Sequence, residues 1–300
     1  MAASHQKLSS KHLPQTPNWK VRITTRNPSS SAAQALAAQG TEVVQADLSN
    51  SSTLYKAFQD ANAIFLNTDF WGIYLSFVTA MITSKADSTG EQLADPSKVA
   101  YETELTHGKN AADVAAQVPT LERFVYSALP ATTKVTCGKC HSDHAESKDA
   151  IVEYIENELV DLAKKTSLIY LGAYNSNALL SPKLDPLHGK YKQIPRCQII
   201  DPNESTGPFV RALIEDEAPG IKLLGYNTKS YLSYQEICDI WSRASGKKAG
   251  FARGSPALAE FGYTGSIKVI EPSDLKNTVQ TKSWEVWIMG RGSKLILEVV

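Results

Sequence analysis

The chain has 300 residues, 42% hydrophobic and 8% aromatic, enough for a buried core in one large α/β domain or a domain with a smaller lobe. Its 31 basic and 31 acidic residues cancel, so no overall field points to nucleic acid or to a membrane surface. Four cysteines are too few for a disulfide framework at this length, and a reducing, cytoplasmic compartment is expected.

Residues 1–17 are polar and basic without an apolar run, which reads as a disordered leader rather than a secretory signal; a transit peptide is the alternative. Trp19–Thr25 alternates apolar and polar residues, the pattern of a half-buried strand. Pro28 and the serines at 29–31 start a helix, whose first amides a serine side chain can cap. The alanine-rich turns from Ala32 to Gln39 favour that helix, and Gly40 suits the left-handed position that ends one. Thr41–Ala46 then forms a second strand that closes on Asp47, completing a βαβ unit of a parallel sheet. Ligands in such sheets bind beyond the carboxyl ends of the strands, and those ends carry Arg26 and Asp47.

Ser51, Ser52 and Thr53 cap a short helix with Leu54, Ala57 and Phe58 on one face, and Ala61–Asn67 is a third strand apolar enough to be buried on both sides. Thr68, Asp69, Phe70 and Trp71 follow at its carboxyl end. The segment from Gly72 to Ser97 reads as irregular, with a mobile loop at 84–90. The apolar run from Ile73 to Thr83 is far shorter than the roughly 20 residues a membrane span needs. A helix over Tyr101–Gln117 has an apolar stripe including Ala100, Leu105, Asn110, Ala112, Val114 and Ala115. Strands are expected at Leu121–Leu129 and Thr166–Leu171. The intervening helix, within Ser142–Lys165, presents Ile151, Tyr154, Ile155, Leu159 and Leu162. This alternation predicts a doubly wound parallel sheet over residues 18–177.

Beyond residue 177 the pattern changes. Leu180–Pro208 is rich in proline and polar turns. A helix follows at Gly207–Glu217 and a short strand at Gly220–Leu224. Ser233–Ser245 opens with a capping box, Ser-Tyr-Gln-Glu. The remainder to residue 300 reads as a small, mostly helical lobe for a substrate or a partner.

A nucleotide-binding sheet of this type usually opens with a strand and a glycine-rich turn whose amides receive the pyrophosphate. The sequence contains no Gly-x-Gly-x-x-Gly or Gly-x-x-Gly-x-x-Gly, and no strand is expected before Trp19. The remaining motifs, taken in order, are Trp19-Lys-Val-Arg with Thr25-Arg-Asn-Pro28, Gln39-Gly-Thr-Glu-Val-Val-Gln-Ala-Asp-Leu48 and Thr68-Asp-Phe-Trp71. Further on come Gly108-Lys-Asn-Ala-Ala-Asp113, Pro119-Thr-Leu-Glu-Arg-Phe-Val-Tyr-Ser127, His144-Ala-Glu-Ser-Lys148 with Val152-Glu-Tyr-Ile155, and Glu260-Phe-Gly-Tyr263. Over residues 18–290 this series resembles the NmrA-like family, a branch of the atypical short-chain dehydrogenase/reductases. That family includes fungal oxidoreductases and NADP-sensing regulators, and it implies a Rossmann-like fold, here with the first strand and phosphate loop missing.

The resemblance implies a site. Arg26 would pair with the 2′-phosphate of NADP, with Asn27, Pro28, Ser29 and Ser30 in the same turn. Asp47 and Leu48 would flank the adenine, although Asp47 could equally cap the following helix. Thr68, Asp69 and Phe70 would contact the middle of the cofactor, and Tyr174, Asn175, Ser176 and Asn177 its nicotinamide. Lys148, four residues after His144 and so on the same helical face, would reach the nicotinamide ribose or donate a proton, and is the candidate catalytic residue. Thr106 departs from members with a lysine there, and the Tyr-x-x-x-Lys pair of ordinary short-chain reductases is absent. Cys137-Gly-Lys-Cys-His141 spells a c-type haem attachment motif with His144 nearby. Without an export signal, and with four ligands crowded into eight residues, it reads as a turn and no metal is expected. These motifs imply an NADP-dependent oxidoreductase acting on a small organic substrate, plausible in fungal secondary metabolism. The missing loop leaves open a non-catalytic regulator, NADP-sensing or nucleotide-free, that binds a partner protein.

Overall fold

The computed structural model describes residues 19–83, 94–177, 196–248 and 262–291. The leader and the loop at 84–90 lie outside them. The opening βαβ unit folds as its residues dictate. Strand β1 (Arg22–Thr25), helix α1 (Ser31–Ala37) and strand β2 (Glu42–Gln45) follow in turn, with the strands parallel and Arg22 opposite Glu42. Ser30 caps α1 by accepting from the Ala33 amide, and Gly40 takes φ 87° after the helix, the left-handed geometry that a side chain would resist.

Helix α2 (Ser51–Phe58) buries Leu54, Ala57 and Phe58, and its cap is Asn50 rather than the serines that follow it. Strand β3 (Ala63–Leu66) leads directly into α3 (Phe70–Thr83), where the sequence suggested irregular chain. Fourteen residues without a charge carry no polar face to betray a helix; Asp69 starts it by accepting from the Gly72 amide at 2.9 Å. Helix α4 (Pro96–Ala116), strand β4 (Arg123–Ala128), the short α5 (Thr132–Val135), α6 (Asp143–Glu158), α7 (Val160–Ala163) and β5 (Thr166–Leu171) complete the expected alternation.

After β5 come β6 (Ala173–Tyr174), β7 (Cys197–Ile200), α8 (Pro202–Glu215), β8 (Lys222–Gly225), β9 (Tyr231–Leu232), α9 (Tyr234–Ser245) and α10 (Trp284–Met289). Two expectations change here. Part of the stretch read as turns is strand β7, and α8 begins five residues before Gly207, because Pro202 sits at its first turn and Asp201 caps it by accepting from the Asn203 amide. The capping box of α9 forms as expected, between Ser233 and Glu236.

Strands β3, β4, β5 and β8 form one four-stranded parallel sheet in that order, and β6, β7 and β9 a second, small one. Alternation along β4 and β5 divides the core. Phe124, Tyr126, Leu168 and Tyr170 face α4 and α6, whereas Val125, Ile169 and Leu171 face α8. Among the described residues β1 and β2 pair only with each other, so the sheet is interrupted between β1 and β3. A groove of about 780 Å3 runs there, lined by Arg22, Ile23, Thr24, Ala63, Ile64 and Phe65 among others. Val21 and Thr25 accept from β2 amides, so by alternation the backbone groups of Arg22 and Thr24 point toward the groove. The Arg22 side chain crosses toward α2, donating to the carbonyls of Ala57 (3.1 Å) and Gln59 (2.7 Å) at that helix's last turn.

Helices α4 and α6 touch closely because Gly108 lies against Ile151. A Cβ at 108 would sit 2.3 Å from the Ile151 Cδ1. Gly108→Ala should therefore destabilise the protein by about 1–3 kcal/mol as Ile151 is forced to move. Denaturant unfolding measures this, and partial recovery in Gly108→Ala/Ile151→Val would locate the strain at that contact.

Candidate functional site

Two groups of side chains gather at the carboxyl ends of the parallel strands, one on β1 and β2, the other on β3, β4 and β5. At the first, Arg26 is exposed just past β1 and Asp47 lies just past β2, both lining a cavity of about 550 Å3 with Lys56. Burial opposes ionisation of Asp47, but the Ser49 amide, which it accepts at 2.9 Å, and the nearby Arg26 and His107 hold its carboxyl below the ordinary value. Asp47 thus forms a tight turn with Ser49, and the helix cap that it could have supplied is made by Asn50.

Asn27 and Ser30 are engaged locally. The Asn27 Oδ1 accepts from the Ser29 amide at 3.0 Å, and the Ser30 Oγ from the Ala33 amide at 3.3 Å. Arg26 is thereby left at the tip of an ordered turn with Pro28 behind it. Leu48 offers its carbonyl to Asn110 Nδ2 at 2.9 Å, which fixes the β2–α2 connection to α4.

The second group surrounds a cavity of about 400 Å3. Thr68, Asp69, Phe70 and Trp71 line one wall and His144 and Lys148 of α6 another. Tyr174, Ser176 and Asn177 close it from the β6 side, and Tyr234, at the start of α9, and Tyr263 complete the lining. His144 meets Phe70 and Trp71 with ring centroids 5.4 and 5.2 Å apart, so an aromatic rim borders the opening. Asn175 is buried, its backbone N–H donates to the Ile200 carbonyl at 2.8 Å, and it is absent from the lining that its three neighbours supply.

Lys148 is almost wholly buried. Its Nζ donates to the Thr68 carbonyl at 3.0 Å and to the Thr68 Oγ1 at 2.9 Å, and the Glu104 Oε1 lies 3.0 Å away. Glu104, on α4, has no exposed surface, and its other oxygen accepts from the Ser147 Oγ. Burial alone would favour a protonated Glu104, but the Lys148 ammonium and the Ser147 and Thr68 hydroxyls hold its carboxyl below the ordinary value. Tyr126 completes the cluster, its hydroxyl 3.2 Å from Thr68 Oγ1, and full burial pushes that phenol well up.

Sequence reasoning missed Glu104, Tyr126, Tyr234 and the Ser147 hydroxyl. Glu104 had a signal. Ala100, Glu104 and Gly108 recur every four residues on the inward face of α4, and a carboxylate among small buried residues needs a partner.

The cysteine motif lies elsewhere. Cys137 is exposed with φ 51°, Cys140 donates its amide to Thr136 Oγ1 at 3.0 Å, and His141 pairs with Asp143 at 2.8 Å. Among the described residues no three metal-ligating side chains are arranged around a common point.

An exposed arginine thus lies beyond β1 and a lysine-walled cavity beyond β3. Between them the sheet is interrupted, and the described residues supply no glycine-rich run of backbone amides of the kind that receives a pyrophosphate. The fold and the position of these groups define a Rossmann-type α/β protein. Residues 8–267 match the NmrA-like family, and the chain belongs to that family.

An NmrA-like family domain-containing oxidoreductase of Aspergillus hancockii is 26% identical over 256 residues, covering 80% of this chain and 69% of the relative. Another from Penicillium ochrochloron is 25% identical over 272 residues, covering 83% and 72%. Among solved structures, NmrA, a negative transcriptional regulator, in complex with NADP superposes with TM-score 0.59 at 17% identity, over 90% of this chain and 86% of that one. Leucoanthocyanidin reductase from Vitis vinifera, in a binary complex with NADPH, gives 0.60 at 11% identity, over 93% and 91%. At such identities the structures share the fold alone. Among the described residues no helix is long and apolar enough to cross a membrane.

The lowered carboxyl of Glu104 has a pH signature. A carboxyl that is more acidic folded than unfolded adds stability that is complete above the ordinary carboxyl value, about pH 4, and is lost as pH falls through the lowered one. Thermal unfolding should show wild type more stable than Glu104→Gln at neutral pH, with the difference shrinking below about pH 4. A difference that stays constant into acid would place the charge elsewhere.

Proposed function

We propose that this chain is an oxidoreductase that takes NADP and a small organic substrate, with Arg26 selecting the cofactor's 2′-phosphate and Lys148 setting the nicotinamide end. The observation that carries this reading is the cavity beyond β3, β4 and β5, with an ammonium built into its wall and an aromatic rim at its mouth. Its size suits a small organic molecule lying against a ring. The fungal oxidoreductases to which the chain is similar support the reaction class, and a setting in secondary metabolism rests on the family resemblance. A protein of the same fold was solved with NADP+ and (+)-pinoresinol, which supports a small-molecule substrate.

A bound NADPH would supply the hydride. The chain's own residues would do the rest. Arg26, free of the turn that holds Asn27 and Ser30, would offer its fork of donors to a phosphate. Thr68 and Lys148 would present a fixed polar edge to the ribose end. Phe70, Trp71, Tyr174 and Tyr263 would keep water from the reacting atoms. Asp69, Ser176 and Asn177 would border the substrate, and Asp47 and Leu48 the adenine.

A second reading is favoured by the interrupted sheet. Without a phosphate cradle the chain would be a nucleotide-free regulator that binds a partner protein. Fluorescence titration with NADPH separates the two. Saturable binding supports the oxidoreductase, and no binding at millimolar cofactor leaves the regulator. Where binding occurs, Arg26→Ala should weaken NADPH by about 10–100-fold, the scale of a lost charge-assisted hydrogen bond of ~1.5–3 kcal/mol, and leave NADH nearly unchanged. Equal losses for both would refute the phosphate role.

A further inference from the structure

We propose that Glu104 is a positioning residue that fixes the Lys148 ammonium at the end of β3 and commits it to act as a permanent cation rather than a proton donor. The inference rests on the reading of Lys148 as the cation of the nicotinamide end, and deepens it. Three oxygens surround the Lys148 Nζ: the Thr68 carbonyl at 3.0 Å, the Thr68 Oγ1 at 2.9 Å and the Glu104 Oε1 at 3.0 Å. Two of the ammonium's three protons go to the Thr68 oxygens, and the Glu104 Oε1 faces it as an ion-pair partner without accepting a hydrogen bond, so one proton can still turn to a ligand hydroxyl. Glu104 has no water to turn to, being fully buried, and Ser147 holds its second oxygen.

Proton release from Lys148 would leave Glu104 as a buried carboxylate beside a neutral amine. That is the costliest state available to a buried pair. Release to a substrate would have to pay that cost at the moment of reaction, so the arrangement opposes acid catalysis by this lysine. It favours a charge already in place before any ligand arrives, the kind of preorganisation that holds a hydroxyl without rearrangement.

The other titratable groups around the pair agree. Tyr126 faces it from β4, its ring centroid 6.0 Å from Nζ, and burial disfavours its phenolate. Asp149, the next residue on α6, is tied to Lys134. His144 lies one turn back on α6 against Phe70 and Trp71, and His107 on α4 feels the charge of Glu104. Asp69, at the start of α3, accepts from the Gly72 amide. Glu104 is therefore the anion in direct contact with the ammonium among the described residues.

The test needs no cofactor, so it can fail independently of the oxidoreductase reading. The full chain is acetylated with acetic anhydride between about pH 6 and pH 10, and the rate at each lysine is followed by mass spectrometry. Lys148 should label more slowly in wild type than in Glu104→Gln. Glu104→Gln should bring its labelling profile down by at least one pH unit, about a tenfold faster rate near neutrality, with Glu104→Asp restoring much of the protection. Lys109 and Lys164 serve as references.

The proposal is overturned if Lys148 labels in Glu104→Gln as in wild type. It is equally overturned if all lysines speed up together, which would mark Glu104 as a packing residue. Should Glu104→Gln fail to fold, Ser147→Ala loosens the same carboxylate with less disruption. It should raise the Lys148 rate roughly threefold with the references unchanged, and an unchanged rate there overturns the proposal.

Discussion

A charge removed from water has to find its counter-charge inside the protein, and in this chain that requirement ties together three elements far apart in sequence. Glu104 comes from α4, Lys148 from α6 and Thr68 from the end of β3, and they meet in one buried cluster. None of the three positions makes sense alone. The carboxylate would be intolerable on the small-residue face of α4 without the ammonium, and the ammonium would be equally so behind the sheet without the carboxylate and the Thr68 oxygens. The close approach of α4 and α6 at Gly108 and Ile151 is what brings the two charges within 3.0 Å. Packing and electrostatics therefore specify the same geometry, and the cavity beyond β3 inherits a wall that is already rigid.

The interrupted sheet sets a different constraint. Strands β4 and β5 have partners on both edges, while β1 and β3 each have one and face each other across a groove. Each half is held by its own helices, β1 and β2 by α1 and α2, β3 and β4 by α4 and α6, and α2 packs against α4. The carboxyl ends of both halves still gather polar side chains. The two groups of polar side chains are thus separate local structures, linked where Asn110 of α4 donates to the Leu48 carbonyl and α2 packs on α4.

Much of this was legible in the sequence, and the legible parts share a cause. The strand at Thr166–Leu171, the box at Ser233 and Glu236 and the left-handed Gly40 are set by local rules of burial, capping and φ. What stayed hidden depends on tertiary context. Helix α3 has no polar face to give it a period, and Pro202 opens a helix with a residue that otherwise signals a turn. In the site, Lys148 was readable from its motif with His144, whereas Glu104 became meaningful only once α4 lay against α6. Asn175 shows the reverse: it shares a run with three cavity-lining neighbours, but it is buried outside the lining, with its backbone N–H bonded to the Ile200 carbonyl.

The two halves of the site also differ in how solvent treats them. Arg26 is exposed, so its attraction for an anion is screened within about 8–10 Å at ordinary salt and is weak unless the guanidinium meets the phosphate directly. Lys148 sits in a low-dielectric wall where its field is barely screened, but its charge is already balanced by Glu104 at 3.0 Å. Were a dinucleotide to bind, neither group would supply most of the binding energy. Under the proposed function Arg26 would discriminate between cofactors that differ by one phosphate, and the Lys148 cluster would hold a hydroxyl in one place. Affinity itself would have to come from the pyrophosphate, the part for which the described residues offer least. The strength of nucleotide binding is therefore the property that decides between the two functional readings.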